Sequence, residues 1–209
     1  MKKIIYFIEF ILIKILFFIF KFIGYKFSSN LGFLIGVFFG PLIKPKKQII
    51  KNLEKANIQK PQNLKKIASN VLGNYGRILA EYVHLEDFRN DKLRKYISIE
   101  GLEHLYYLKK SKKKAVFISG HFNNFELMAM QIEKAGIELA AIYRPLNNVF
   151  LNKTMEKIRI ENICKNQIKK GRAGSREIIK NVKSGKSIAI MIDQRVREGE
   201  KVNFFNHQA

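Results

Sequence analysis

His121 and Glu126 stand five positions apart, where a short apolar run gives way to an amphipathic one. A histidine exchanges a proton near neutral pH, and a carboxylate beside it can hold one ring nitrogen and leave the other as base. Inside one regular helix that spacing would splay the two side chains by roughly 140°, from about 100° per residue. The objection lapses if His121 lies in a strand-to-helix turn and Asn123 or Asn124 caps the helix that follows. A helix N-terminus also favours an ionised Glu126. An ordinary capped helix with a satisfied turn histidine has the same spacing, so the pair alone does not establish catalysis.

The elements that must position the pair are legible on either side. Ala115-Val116-Phe117-Ile118-Ser119, between lysines and Gly120, reads as a buried strand. From Phe125 onward, Leu127, Met128, Met130 and Ile132 share a broad helical face. Ile137 to Tyr143 reads as a second strand, and Arg144-Pro145-Leu146-Asn147-Asn148 as a loop. Val149 to about Ile163 is predicted helical, Gly171-Arg172-Ala173-Gly174 a loop, and Ser175 to Lys183 a helix capped by Ser175. Ser187 to Ile192 is a third strand, ending in Asp193-Gln194-Arg195. Upstream, Asn63 to His84 has helical spacing that Gly73 and Gly76 weaken in the middle. Strands alternating with helices from residue 115 predict an α/β fold, a largely parallel sheet flanked by helices. In such sheets ligands collect beyond the carboxyl ends of the strands. Three of those ends carry polar groups: His121 with Glu126, Arg144 with Asn147, and Asp193 with Gln194. Their convergence on one edge favours a catalytic site.

Composition narrows the partners. Lys and Arg number 39 against 17 acidic residues, a formal charge of +22, which calls for an acidic partner such as nucleic acid, an anionic membrane or an acidic protein. Lys109 to Lys114 alone holds five lysines in six residues, read as a basic surface turn. The one cysteine, Cys164, excludes an intrachain disulfide and shows no sign of activation. Four scattered histidines give no zinc-type spacing, so no metal is expected. A P-loop, a dinucleotide fingerprint and a Gly-x-Ser-x-Gly elbow are all missing from the sequence, so no cofactor and no covalent nucleophile are expected.

The N-terminus reads as a membrane element. From Ile4 to Phe20, fifteen of seventeen residues are apolar or aromatic, the exceptions being Glu9 and Lys14. Fifteen residues at roughly −0.3 to −0.6 kcal/mol against two charges at up to about +3 kcal/mol leave insertion near balance. Spanning and lying in the interface are both open. A second run, Leu31 to Ile43, is read as too short and too broken by Gly32, Gly36, Gly40 and Pro41 to span, which suits a re-entrant or interfacial piece. Without a small-residue cleavage site, residues 1–45 are taken as an uncleaved anchor and 46–209 as the α/β domain. Lys44, Lys46, Lys47, Lys51 and Lys55 then fall on the cytoplasmic side.

Read as ordered blocks, the chain resembles the late acyltransferases of lipid A biosynthesis, the lauroyl/myristoyl transferase family of Gram-negative inner membranes. Gly120-His121-Phe122-Asn123-Asn124-Phe125-Glu126 is similar to the family's Gly-His-x-Gly-Asn-Trp-Glu, departing at Asn123 and Phe125. Tyr143-Arg144-Pro145-Leu146-Asn147-Asn148, Gly171-Arg172-Ala173-Gly174 and Ile192-Asp193-Gln194 resemble the later blocks. Val202-Asn203-Phe204-Phe205-Asn206 resembles Val-x-Phe-Phe-Gly, with Asn206 in place of Gly. Family members usually continue well beyond this block, so the resemblance implies a chain truncated at its C-terminus.

The resemblance implies an inner-membrane enzyme, its site on the cytoplasmic side, moving a fatty acyl chain from acyl carrier protein to a hydroxyl of a lipid A precursor. His121 would be the base and Glu126 its orienting carboxylate. Arg144, with main-chain N–H groups at the helix start, would stabilise an oxyanion or hold a phosphate. Asn124, Asn147, Arg172, Asp193 and Gln194 would complete the substrate site. The partners implied are the carrier protein, the precursor glycolipid and inner-membrane lipid. The nearest enzyme alternative acts on a glycerol phosphate or another membrane glycolipid, although such enzymes usually carry Asp where this chain has Glu126. A membrane-tethered basic nucleic-acid-binding protein is the non-enzyme alternative. Against it, the basic clusters lack interleaved aromatics and no recognised binding motif is present, so nucleic acid is not expected.

Overall fold

A computed structural model describes residues 2–56, 61–193, 201–204 and 206–208. Its helices and strands run in chain order as α1 (Lys2–Ile23), α2 (Tyr25–Ile43), α3 (Lys46–Ala56), α4 (Leu64–Glu81), α5 (Leu85–Arg89), α6 (Leu102–Ser111), β1 (Val116–Ser119), α7 (Glu126–Lys134), β2 (Leu139–Tyr143), α8 (Val149–Asn162), β3 (Asn166–Lys169), α9 (Arg172–Lys183), β4 (Ser187–Met191), β5 (Asn203–Phe204) and β6 (His207–Gln208). Two compact units result, one of residues 1–16 and 83–194, the other of 17–82 and 195–209.

The first unit is α/β. Its four-stranded sheet is parallel throughout, in the order β1-β4-β2-β3. Parallel strands need crossover connections, and α7, α8 and α9 supply them. Ala140, Ile168 and Ile188 form the buried centre, with Ile142 and Ile178 packed on it. Helix α9 packs on β2, β3 and β4, while α7 packs on β2 and α8 on β3.

Several elements depart from the sequence reading. The strand at 116–119 is not buried: β1 is the sheet edge, and Val116 and Ile118 are 63% and 61% exposed. Helix α7 begins at Glu126 with Phe125 as N-cap, so neither Asn123 nor Asn124 occupies the cap. Strand β3 lies where no strand was expected. Helix α9 starts at Arg172, three residues before Ser175, so the predicted loop at 171–174 is mostly helix. Gly174 makes that early start possible, because a Cβ there would fall on the Lys169 carbonyl of β3.

The second unit is built on α2 and α4. The run at 31–43 is an unbroken part of α2, which has 19 residues and is long and apolar enough to cross a membrane. Its glycines do not break it. A Cβ on Gly32 would meet Ala80 Cβ and the Gly76 carbonyl at 2.6 Å, and one on Gly36 would meet Gly73 Cα at 2.9 Å. Small residues three and four apart therefore form a stripe on each helix, letting the α2 and α4 backbones touch. Pro41 sits in the last turn of α2, so it forfeits one i→i−4 bond, and the helix ends two residues later. Ser29 donates to buried Glu81 at 2.7 Å across the same pair. Strands β5 and β6 form a short antiparallel pair.

Candidate active site

The register of β1 with β4 builds the site. Ser119 pairs with Met191, and Ile192 N–H donates to the Ser119 carbonyl at 3.0 Å. Two residues past each paired end come His121 and Asp193, which the parallel register therefore brings face to face. The imidazole Nδ1 lies 2.7 Å from Asp193 Oδ1, and the His121 backbone N–H donates to Oδ2 at 2.7 Å. One carboxylate thus grips both the main chain and the ring of the histidine. Partial burial pushes the Asp193 carboxyl upward, but the backbone and ring bonds from His121 outweigh it and hold the acid below its usual range. An ionised Asp193 on Nδ1 fixes the tautomer with the basic lone pair on Nε2.

The turn is shaped for this contact. Phe122 N–H donates to the Gly120 carbonyl at 2.9 Å, and Asn123 follows in the left-handed region at φ 43°. Gly120 has no room for a side chain: a Cβ would meet Phe122 at 2.8 Å and Asp193 Oδ2 at 3.2 Å. The Phe125 ring stands edge-on to the imidazole, centroids 4.5 Å apart.

Glu126 holds an arginine through Oε1. It is buried at the start of α7, and its Oε1 accepts from Nε and Nη2 of Arg159 on α8 at 2.8 and 2.7 Å. Arg159 also lies over the Tyr143 ring, 5.6 Å from its centroid. The Tyr143 hydroxyl donates to Glu156 at 2.5 Å, and Lys169 pairs with Glu156 at 3.1 Å. Burial and the bond to Glu156 raise the Tyr143 phenol well above its ordinary range, and that bond also lowers Glu156. The network ties α7, α8, β2 and β3 together beneath the sheet edge.

The sequence model of the bacterial lipid A biosynthesis acyltransferase family matches residues 1–209. The chain belongs to this family. No curated protein matches it. A lipid A acyltransferase takes an acyl donor and a lipid A-type acceptor, and transfers the acyl group to oxygen.

In this lipid A acyltransferase Arg144 and Asn147 follow β2 at the same carboxyl edge of the sheet. Strand β4 lies between β1 and β2, so His121, Asp193 and Arg144 follow one another past three adjacent strands spaced about 5 Å apart. Arg144 and Asn147 are exposed there. Asn124 is half-buried, and its carbonyl accepts from Leu127 N–H at 3.1 Å. Met128 N–H donates to the Phe125 carbonyl, so these two helix-start N–H groups are used within the turn. Arg172 opens α9 beyond β3, its side chain outside the described residues, as is Gln194. Among the described residues no three His, Cys, Asp or Glu side chains are grouped to hold a metal.

Two residues escaped the sequence reading. Arg159 is one, and only its spacing on α8 pointed inward. Asn148 is the other: its Oδ1 caps α8 through Phe150 N–H and Leu151 N–H, both at 3.1 Å. An Asn directly before a helical run is a capping signal that the sequence does carry.

Proposed function

We propose that the protein transfers a fatty acyl chain from the thioester of acyl carrier protein to a hydroxyl of a lipid A precursor at the cytoplasmic face of the inner membrane. The observation that carries this reading is the 2.7 Å bond between His121 Nδ1 and Asp193 at the carboxyl edge of the sheet. His121 Nε2 takes the proton of the acceptor hydroxyl as its oxygen attacks the thioester carbonyl. The tetrahedral intermediate collapses, the carbon–sulfur bond breaks, and the imidazolium returns the proton to the departing thiolate. Asp193 stays ionised and stabilises the imidazolium, as the acid of a hydrolase triad does. Arg144 supports the oxyanion or a substrate phosphate with its planar guanidinium. Asn124, Asn147, Arg172 and Gln194 are the further residues assigned to substrate binding, and residues 1–45 form the membrane-associated segment. Glu126 contributes by holding α7 to α8 through Arg159.

A transfer assay with acyl carrier protein thioester and the precursor tests the pairing. His121→Ala and Asp193→Ala should each lower transfer by roughly 10² or more. The double variant should be little worse than either single, because the two groups act as a unit. Near-normal transfer by His121→Ala would remove the histidine from the chemistry, and by Asp193→Ala would remove the aspartate.

A further inference from the structure

Helix α1 carries the most apolar sequence in the chain, yet its first four turns belong to the α/β unit. The attachment is specific. Asn148, only 7% exposed, donates through Nδ2 to the Tyr6 carbonyl at 2.8 Å and to Glu9 Oε2 at 3.0 Å. The Phe150 ring meets Phe7 edge-on, centroids 5.6 Å apart, and Phe10 at 6.2 Å. Glu9, an apparent flaw in a membrane segment, is thus the docking group. The same Asn148 that caps α8 holds α1.

The rest of the helix circumference is divided by chemistry. At about 100° per residue, Ile4, Ile8, Ile11 and Ile15 fall within an arc of roughly 60°, which Ile5 and Leu12 widen to about 120°. All six are exposed, Ile4 by 65%. Lys3 and Lys14 lie within about 20° of each other on one flank of that arc, and both are exposed. Tyr6, Phe10 and Ile13, on the side of the Asn148 contact, are half-buried.

A helix with this division cannot thread the bilayer while docked. Spanning would draw α8, with Lys153, Glu156, Lys157, Arg159 and Glu161, into hydrocarbon. We infer that α1 from Lys2 to Leu16 lies in the plane of an anionic membrane surface, its isoleucine face in one leaflet and Lys3 and Lys14 at the headgroups. Asn148 is the joint that fixes this helix to the loop after β2. Lysines at headgroup level beside an apolar arc match the chemistry of a phosphate-bearing leaflet. The loop that carries the joint leaves the same sheet edge as His121, so a bilayer-embedded acceptor would meet that edge from the leaflet. The inference stands whichever residues perform the transfer, because its readouts are depth and motion.

Nitroxide labels at Ile4→Cys, Ile8→Cys, Ile11→Cys, Ile15→Cys, Lys3→Cys and Lys14→Cys test it, on the full chain bound to phosphatidylcholine/phosphatidylglycerol vesicles. Cys164 does not compete for label, being buried with its thiol pushed up to about 11 by desolvation. Oxygen and nickel-chelate accessibility should place the four isoleucine sites at one shallow depth and the two lysine sites at the headgroups. Depth rising steadily from Ile4 to Ile15, over about 16 Å of helix, would overturn the in-plane placement. Aqueous accessibility at all six sites would overturn membrane contact.

Asn148→Asp then tests the joint: it keeps the capping oxygen, loses the donor and sets a carboxylate against Glu9. A label at Ile5→Cys should become several-fold more mobile, and adding Glu9→Gln should restore it, the new amide donating to the new carboxylate. Glu9→Leu leaves the cap untouched and should loosen the helix equally. Unchanged mobility in both Asn148→Asp and Glu9→Leu would refute the joint.

Discussion

Glu126 sits 7% exposed against Arg159, a buried ion pair whose two members are not equally dispensable in an experiment. Removing one side of such a pair strands the other charge and costs about 3–5 kcal/mol. Glu126→Ala should therefore lower the melting temperature and transfer together. Glu126→Gln keeps an oxygen for Arg159 and should retain most transfer, if Asp193 is the partner of His121. A loss of about 10² with an unchanged melting temperature would return Glu126 to the catalytic pair. Two other residues show why single departures from a family pattern need not alter a site. Asn123 and Asn206, where the family that the chain resembles usually has Gly, lie at φ 43° and 60°. Asparagine is among the few residues that enter this left-handed region readily, so both turns keep their backbone course. The polar residues at the strand ends could be read from sequence, because each directly follows an apolar run. Their pairing could not. Glu126 was near His121 in sequence, whereas Asp193 reaches it only through the β1–β4 register.

Elements with a strong period were legible: α4, α8, β2 and β4 lie within a few residues of their predicted places. Strand β3 was not, because Asn166-Gln167-Ile168-Lys169 buries only Ile168 and has no apolar run. What makes it a strand is tertiary. It pairs with β2 from Ala140–Asn166 to Tyr143–Lys169, and Asn166 Nδ2 donates to the Leu139 carbonyl at 3.0 Å. Glycines misled the reading in the same way. Taken singly, Gly32, Gly36, Gly73 and Gly76 weaken two helices by roughly 1 kcal/mol each. Taken together, they are the surface on which α2 and α4 meet. Gly76→Ala should therefore destabilise by roughly 1–3 kcal/mol, despite the better helix propensity of alanine, since its Cβ would fall on the Gly32 carbonyl. Asn70→Ala, at an exposed position of the same helix, should change little or stabilise slightly. Chemical denaturation of both variants decides it. A Gly76→Ala protein as stable as the parent would mean that α2 and α4 are not in backbone contact.

Across the whole molecule, charge and apolar surface act at different ranges. The formal charge of +22 attracts an anionic bilayer from a distance, and salt screens it to within about 3 Å at 1 M. The exposed apolar positions on α1, and Phe38, Leu42 and Ile43 on α2, act only on contact and are not screened. Deleting residues 1–45 would not separate these contributions. It would remove the turn of α1 that Asn148 holds and the glycine stripe that α4 packs against, so loss of membrane binding would be confounded with loss of folding. Salt does separate them. Association of the intact chain with phosphatidylglycerol vesicles should slow by about tenfold or more between low salt and 1 M. Protein already bound should stay bound when the salt is raised, and float with the vesicles. Complete release by salt would mean that the apolar faces never enter the leaflet and that the protein is held by charge alone. An association rate indifferent to salt would mean that the lysine excess plays no part in finding the membrane. Stopped-flow association and vesicle flotation on the same preparation read the two quantities independently.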